Sequence, residues 1–139
     1  MSTASAGIHS AGYKKSWFHD PLTKDVNTVK NTVDWYWNGS CVYGTSTLGY
    51  RYEWLTATGW GLKDNNWRRG AFCTYAYSNS YVHFKNGIFC AFTDTHTYYD
   101  RNNVRGYYNG TLWGQTSWSK SGFCSFLLSF HDKLRRTLN

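Results

Sequence analysis

The sequence predicts an all-β fold, an antiparallel β-sandwich or small barrel with several Asn-Gly hairpins and two disulfides. Aromatic residues make up 20% of the 139-residue chain, whereas its mean hydropathy is −0.60. Large rings must therefore supply the apolar burial, while most of the other residues are polar. Aromatic residues and threonine favour strands, and glycine and asparagine favour turns. Long helices are not expected, because alanine, leucine, glutamate and glutamine are scarce.

Asn-Gly pairs mark the expected hairpin turns, because Asn-Gly tolerates the positive φ angles of a type I′ turn. The pairs are Asn38-Gly39, Asn86-Gly87 and Asn109-Gly110. With two-residue loops, the second pair would place His83 opposite Cys90, and the third would place Tyr107 opposite Leu112. Further strands are expected around residues 47–55, 69–77 and 122–131.

The first hairpin contains three consecutive aromatic residues, Trp35, Tyr36 and Trp37. Neighbouring side chains on a strand point to opposite faces, so the three rings cannot all enter one core. With a two-residue turn, Tyr36 and Cys41 share a face. If Cys41 is bridged and buried, Tyr36 belongs to the core and the two tryptophans form an outward platform. The platform hypothesis fails if the two tryptophans are the buried pair.

The length of the chain favours one domain with terminal extensions. Residues 1–20 are mostly small and polar, and we expect a flexible N-terminal segment there. We expect a single β domain over residues 21–132 and a basic C-terminal tail over residues 133–139. Residues 58–70 are rich in glycine and asparagine, which indicates a long loop of the kind that often carries function.

Four cysteines, an even number, favour two disulfides over a metal site. No pair is spaced as Cys-x-x-Cys, and no histidine lies near a cysteine at zinc-finger spacing, so no metal or other cofactor is expected. Pairing in sequence order would join Cys41 to Cys73 and Cys90 to Cys124. Each link would close a loop of roughly thirty residues and contribute about 3–4 kcal/mol. The other two pairings remain open from the sequence.

The cysteines also favour an oxidising compartment, and we therefore expect a secreted protein. No segment has the apolar length of a membrane span. The N-terminus lacks the contiguous apolar region of a signal peptide. We expect that a signal peptide has been removed and that residues 2–7 begin the mature chain.

The net charge of +7, from 15 basic and 8 acidic residues, favours an anionic partner such as an acidic polysaccharide, a cell wall, a nucleic acid or an anionic membrane. Solubility alone is the simpler explanation of this charge. The basic residues are scattered along the chain, and no run of them is long enough to form a polybasic arm.

Exposed rings on a rigid sheet can stack on sugar rings or anchor a protein interface. The candidate binding residues are Trp35, Trp37, Trp60, Trp67, Arg68 and Arg69. The sequence thus predicts a secreted, non-enzymatic binding protein that uses an aromatic and basic surface. The expected partner is a glycan, a cell-wall polymer or an extracellular protein, the last within a larger assembly in which this chain is an adaptor. A nucleic acid is a less favoured partner.

The alternative hypothesis is a secreted toxin-like hydrolase, most naturally a nuclease. Such an enzyme needs two acid–base groups and a cation that holds the phosphate. The candidate catalytic residues are His83, His96, Glu53 and Arg101. No Gly-x-Ser-x-Gly elbow, phosphate-binding loop, dinucleotide fingerprint or His-Glu-x-x-His motif is present, so binding remains the favoured interpretation.

Four segments carry a resemblance to a known group of proteins: VDWYWNGSCV, EWLTATGW, VHFKNGIFCAFTDTHTYY and GFCSFLLSFH. Together, over Val33 to His131, they resemble uncharacterised small secreted four-cysteine proteins of Gram-positive, actinobacterial origin. The resemblance implies secretion and a β fold held by disulfides. It implies no activity, and no functional residue is carried over from it.

Overall fold

Eight antiparallel strands form two four-stranded sheets in the computed structural model, which describes residues 7–22, 24–91 and 93–138. The strands are β1 (Ile8–His19), β2 (Asp25–Trp37), β3 (Val42–Trp54), β4 (Trp60–Ala71), β5 (Tyr75–Cys90), β6 (Thr93–Tyr107), β7 (Leu112–Gly122) and β8 (Ser129–Leu138). Sheet 1 has the order β3-β2-β1-β8, and sheet 2 has the order β4-β5-β6-β7. Short 3₁₀ turns lie at Thr56–Thr58 and Ser125–Leu127.

The predicted all-β fold with two disulfides is confirmed, and it takes the sandwich form. The disulfides join the cysteines in sequence order, Cys41 to Cys73 and Cys90 to Cys124. Within the described ranges, no helix is long and apolar enough to cross a membrane.

Two hydrophobic clusters fill the space between the sheets, one toward each end. The larger cluster consists of Phe18, Val26, Val29, Trp60, Val82, Phe84, Tyr99 and Leu128. The smaller cluster consists of Val33, Trp35, Val42, Ala76 and Val104. Along β2, β5 and β6 the chain passes from one cluster to the other through inward-facing polar residues. The core is therefore interrupted at mid-height.

A polar layer separates the two clusters, and we define it by Ser16, Asn31, Ser78, Ser80, Asn102 and Thr116. Asn31 links three strands, because its Nδ2 donates to Ser78 Oγ at 2.9 Å and its Oδ1 accepts from Ser80 Oγ at 2.7 Å and from Asn102 Nδ2 at 2.8 Å. A low dielectric strengthens such bonds and makes any unpaired member costly. The polar layer therefore ties sheet 1 to sheet 2 in one register.

The prediction of a flexible N-terminal segment is wrong for residues 8–19. This stretch is β1, a central strand of sheet 1 that pairs with β2 on one side and with β8 on the other. Its inward residues before Phe18 are Ser10, Gly12, Lys14 and Ser16, which are small or polar, so most of the strand shows no apolar alternation. Residues 1–6 lie outside the described residues. The predicted tail also belongs to a strand, because β8 continues to Leu138.

The first and third Asn-Gly pairs lie in turns, as predicted, but the strands pair in another register. Gly39 and Gly110 have φ angles of +88° and +85°. The first loop has four residues instead of two, because Trp37 pairs with Val42, and the third has five, because Gly106 pairs with Leu112. The extra loop residues shift the predicted cross-strand partners without moving the turns.

The second Asn-Gly pair does not form the predicted hairpin turn. Asn86 is a buried residue within β5, and His83 pairs with Tyr98 instead of Cys90. The side chain of Asn86 donates to Thr58 O and accepts from the backbone N–H of Ile88, each at 2.8 Å. These bonds hold the 3₁₀ turn before β4 and the residues after Asn86 against its side chain, and no tight hairpin turn forms at this Asn-Gly pair. The predicted loop over residues 58–70 is also wrong, because β4 occupies most of it.

Candidate functional site

The outer face of sheet 1 carries four cations in one row across the strands. Lys15 on β1 pairs with Lys30 on β2 and with Lys133 on β8, and Lys30 pairs with Arg51 on β3. Residues at paired positions share a face of the sheet, so the four side chains point the same way. We call Lys133, Lys15, Lys30 and Arg51 the basic row. Neighbouring strands lie about 4.8 Å apart, so the row crosses about 14 Å of the sheet.

Two aromatic rings flank the basic row on β1. Tyr13 lies two residues before Lys15, and its ring centroid is 4.3 Å from Lys30 Nζ and 5.9 Å from Lys133 Nζ. Trp17 lies two residues after Lys15, whose Nζ is 5.2 Å from the Trp17 ring centroid. These cation–π contacts orient the ammonium groups without neutralising their charge.

The charges of the basic row are poorly balanced. Like charges on directly paired strand residues destabilise a sheet. Arg51 is paired with Glu53 at 3.3 Å, but both side chains are largely exposed, which makes this pair weak. Among the described residues, no carboxylate forms an ion pair with Lys15, Lys30 or Lys133. The row therefore presents a concentrated positive charge to solvent.

A cleft of about 320 Å³ opens over the basic row. The four cations and Tyr13 form part of its wall, and the end of β3 with Leu55 forms another part. Its acidic lining residues are Asp25 and Glu53. Asp25 is paired with His19 at 2.8 Å, and Glu53 with Arg51. The cleft can therefore hold a negatively charged group next to Lys15, Lys30 and Lys133, which form no ion pair with any described carboxylate.

The predicted platform of Trp35 and Trp37 is wrong. Trp35 has no exposed surface, and its Nε1 donates to Tyr107 O at 2.9 Å. A Cβ on Gly106 would lie 2.2 Å from the Trp35 ring, so the ring packs directly on the β6 backbone. Trp37 packs against the same cluster. The prediction took Cys41 as the marker of the inner face, but Cys41 lies in the loop before β3.

The other predicted binding residues do not share one surface. Trp60 is only 2% exposed and belongs to the larger cluster, so the prediction that it contacts a ligand is wrong. Trp67 is half-buried and donates from Nε1 to Ser78 Oγ at 3.0 Å. The guanidinium of Arg69 lies 4.3 Å from the Trp67 ring centroid. Arg68 is exposed on the opposite, outer face of β4.

The four predicted catalytic residues are not brought together. His83 and His96 do meet on the outer face of sheet 2, with His83 Nε2 2.7 Å from His96 Nδ1. The ring of Tyr98 stacks on His83 at a centroid distance of 4.1 Å. Glu53, however, lies on the outer face of the other sheet, and Arg101 follows a register shift in β6. In the part of the chain that the structure describes, no three His, Cys, Asp or Glu residues are grouped as metal ligands.

Acidification is expected to destabilise the fold through His83. Burial, and then the neighbouring His96, lower the pKa of His83 from its ordinary value of 6.5. Asp64 opposes this shift, and Lys63 and Lys85 add to it. The unfolded chain therefore binds a proton where the folded protein does not, so the free energy of unfolding falls as the pH falls below 6.5.

Denaturant unfolding at a series of pH values checks this prediction. The variant His83→Gln should show a shallower loss of stability on acidification than the unmodified protein. Equal slopes in the two proteins would show that His83 does not contribute to the pH dependence.

Sequence reasoning missed the basic row and its two rings. Tyr13, Lys15 and Trp17 alternate with buried residues at two-residue spacing, which is a strand signal. That spacing could have revealed one strand of the site. The partners on β2, β3 and β8 depend on sheet register, which no local pattern in the sequence contains.

Comparison with known proteins finds no family model that matches the chain, no similar curated protein and no similar solved structure. The resemblance to secreted actinobacterial four-cysteine proteins therefore stays a prediction. The interpretation of the site depends on its own geometry and charge.

Proposed function

We propose that the protein is a non-enzymatic binding protein that acts outside the cell and recognises an anionic cell-wall polymer through the basic row. The observation that carries this proposal is the alignment of four cations across four strands, three of them without an ion-pair partner in the described residues. An arrangement that destabilises a sheet is explained if an anionic ligand neutralises it. The two disulfides are consistent with an extracellular setting.

The geometry favours a polymer over a small anion. The basic row is about 14 Å long, so a chain that carries regularly spaced phosphate or carboxylate groups can meet several cations at once. Tyr13 and Trp17 lie on the two sides of the row, on the same face of β1. Their rings are placed to pack against sugar units on each side of the anionic groups. The ligand class is therefore an acidic glycan or a sugar-containing polyphosphate.

Binding to defined polyanions tests the proposal. We expect teichoic acid and polygalacturonate to bind, uncharged dextran not to bind at this site, and affinity to fall as salt is added. The double variant Lys15→Gln/Lys30→Gln should bind about tenfold more weakly, since two charge contacts are lost. The matched control is Lys63→Gln/Arg101→Gln, which removes the same net charge from exposed positions of sheet 2.

Three results would overturn the proposal. Equal weakening by the test and control variants would mean that overall charge, not the basic row, binds the polymer. Failure of both acidic polymers to bind would exclude the ligand class. Tighter binding of single-stranded DNA than of either polymer would instead identify a nucleic-acid-binding protein.

A further inference from the structure

The outer face of sheet 2 carries a different row of side chains, three amides and one guanidinium, all of which can form hydrogen bonds. Arg68 pairs with Asn79, Asn79 pairs with Asn103, and Asn103 pairs with Gln115. These residues lie side by side across β4, β5, β6 and β7. We call Arg68, Asn79, Asn103 and Gln115 the amide row. Asparagine and glutamine side chains each present both donors and acceptors, as a ligand rich in hydroxyl groups requires.

Two acceptors in the amide row are buried without a partner. Asn103 is only 4% exposed, and its Oδ1 has no hydrogen-bond partner among the described residues. The same holds for Oδ1 of Asn79, the residue opposite. Buried polar atoms of folded proteins are nearly always bonded, so these two need an explanation. Both Oδ1 atoms are covered in the unbound protein, but both side chains belong to the outer face, and rotation about χ2 can turn either amide toward a bound ligand.

Rings and a fixed guanidinium form the next row along the sheet. Arg105 pairs with Tyr77 on one side and with Trp113 on the other. Its guanidinium carbon lies 4.3 Å from the ring centroid of Tyr75 and 4.8 Å from that of Trp113, and its Nη1 donates to Tyr107 Oη at 3.1 Å. The side chains are therefore held in place before any ligand arrives, which lowers the entropy lost on binding.

The charge of this face differs from that of the basic row. Burial, and then the nearby carboxylates of Asp64 and Asp100, raise the pKa of Tyr81. Tyr81 lies two residues from Asn79 on the same face of β5, so acidic groups lie among the cations of this face, whose arginines are Arg68, Arg101 and Arg105. Such a mixed field does not favour a polyanion.

We propose that the outer face of sheet 2 binds an uncharged polysaccharide, with sugar rings against Tyr77 and Trp113 and sugar hydroxyls on the amide row. Amide side chains beside aromatic rings match the two surfaces of a pyranose, its hydroxyl edge and its apolar C–H face. This second site goes beyond the proposed function and does not depend on it. Two sites on opposite faces would allow the chain to bridge a neutral and an anionic polymer.

Pull-down with insoluble cellulose, chitin and mannan tests this site. We expect at least one of them to retain the protein, with little effect of added salt, because no net charge is neutralised. Trp113→Ala should weaken retention about tenfold, as for an interface hot-spot residue. Gln115→Ala, at an exposed position of an edge strand, should also weaken it and should not affect folding. Ser121→Ala, on the same strand and face but outside the two rows, is the control.

The outcomes separate this proposal from the first one. The variant Lys15→Gln/Lys30→Gln should bind the neutral polysaccharide normally, and Gln115→Ala should bind teichoic acid normally. The second site is overturned if none of the three polysaccharides retains the protein. It is also overturned if Gln115→Ala and Ser121→Ala bind alike, or if the sheet 1 variant abolishes retention.

Discussion

Replacing Asn102 by alanine is expected to lower the free energy of unfolding by about 3–4 kcal/mol. Asn102 has no exposed surface, and its side chain makes four hydrogen bonds, which fill its capacity. Its Nδ2 donates to Lys14 O at 3.0 Å and to Asn31 Oδ1 at 2.8 Å. Its Oδ1 accepts from Ser16 Oγ at 2.7 Å and from Thr116 Oγ1 at 2.8 Å.

The large effect follows from what the substitution leaves behind. Alanine removes the acceptor of the Ser16 and Thr116 hydroxyl groups, which lie 2.7 Å apart, so one of them can donate to the other but the second hydrogen loses its acceptor. Lys14 O also loses a donor, and each buried polar group left unpaired costs about 1–3 kcal/mol. The cavity left by the missing side chain adds to the loss. Asn102 also joins β6 of sheet 2 to β1 and β2 of sheet 1, so the contact between the sheets is weakened as well.

Urea unfolding measures the effect as a lower midpoint with an unchanged dependence on denaturant. Asn66→Ala, on an exposed position of β4, should change stability by no more than about 0.5 kcal/mol. Combining Asn102→Ala with Thr116→Val should cost less than the sum of the two single changes, because they share a hydrogen bond. A loss below about 1 kcal/mol for Asn102→Ala would contradict a coupling role of the polar layer.

The same polar layer explains why the sequence did not reveal β1. Sequence patterns identify a half-buried strand by alternating apolar and polar residues. In β1 the buried positions include Ser10, Gly12, Lys14 and Ser16. Buried and exposed residues therefore alternate along the strand, but apolar and polar residues do not. The segment therefore has the composition of a flexible arm. Only the partners on the other strands show that its polar side chains are bonded.

Lys14 and Lys15 show the limit of sequence reasoning about the site most directly. The two lysines look alike in the sequence, where they form a short basic cluster. In the fold, Lys14 is buried and pairs with Asp132, whereas Lys15 faces outward in the basic row. One step along a strand separates a structural lysine from a candidate binding residue, and no local pattern in the sequence distinguishes the two.

The fold class was predictable because it depends on composition, whereas the site depends on register. Aromatic and threonine content predicted strands, and the even number of cysteines predicted two disulfides. The tryptophans predicted as ligand contacts were needed in the core, since the chain has few aliphatic residues to fill it. Trp35 and Trp60 are buried for this reason. In a chain with such a composition, a tryptophan is weak support for a binding surface.

Loss of the Cys41–Cys73 disulfide is expected to lower the free energy of unfolding by about 3–4 kcal/mol. The link joins residues 32 apart in sequence, and it connects the β2–β3 loop of sheet 1 to the β4–β5 loop of sheet 2. The main chain meets at the same place, because Val42 N donates to Cys73 O at 2.7 Å. This hydrogen bond should keep the two loops in contact in the folded variant Cys41→Ser/Cys73→Ser. The loss of stability then arises mainly because the unfolded chain gains conformational entropy without the link.

Comparison with the second disulfide tests whether the loss of stability arises in the unfolded chain. Cys90 and Cys124 are 34 residues apart, so loop-closure entropy predicts almost the same loss for Cys90→Ser/Cys124→Ser as for the first pair. The two links differ in the folded protein, since Cys90 ends β5 and Cys124 follows β7, which belong to one sheet. Urea unfolding of both double variants should therefore give losses within about 1 kcal/mol of each other. A much larger loss at Cys41–Cys73 would mean that this link acts in the folded state, as a clamp between the sheets.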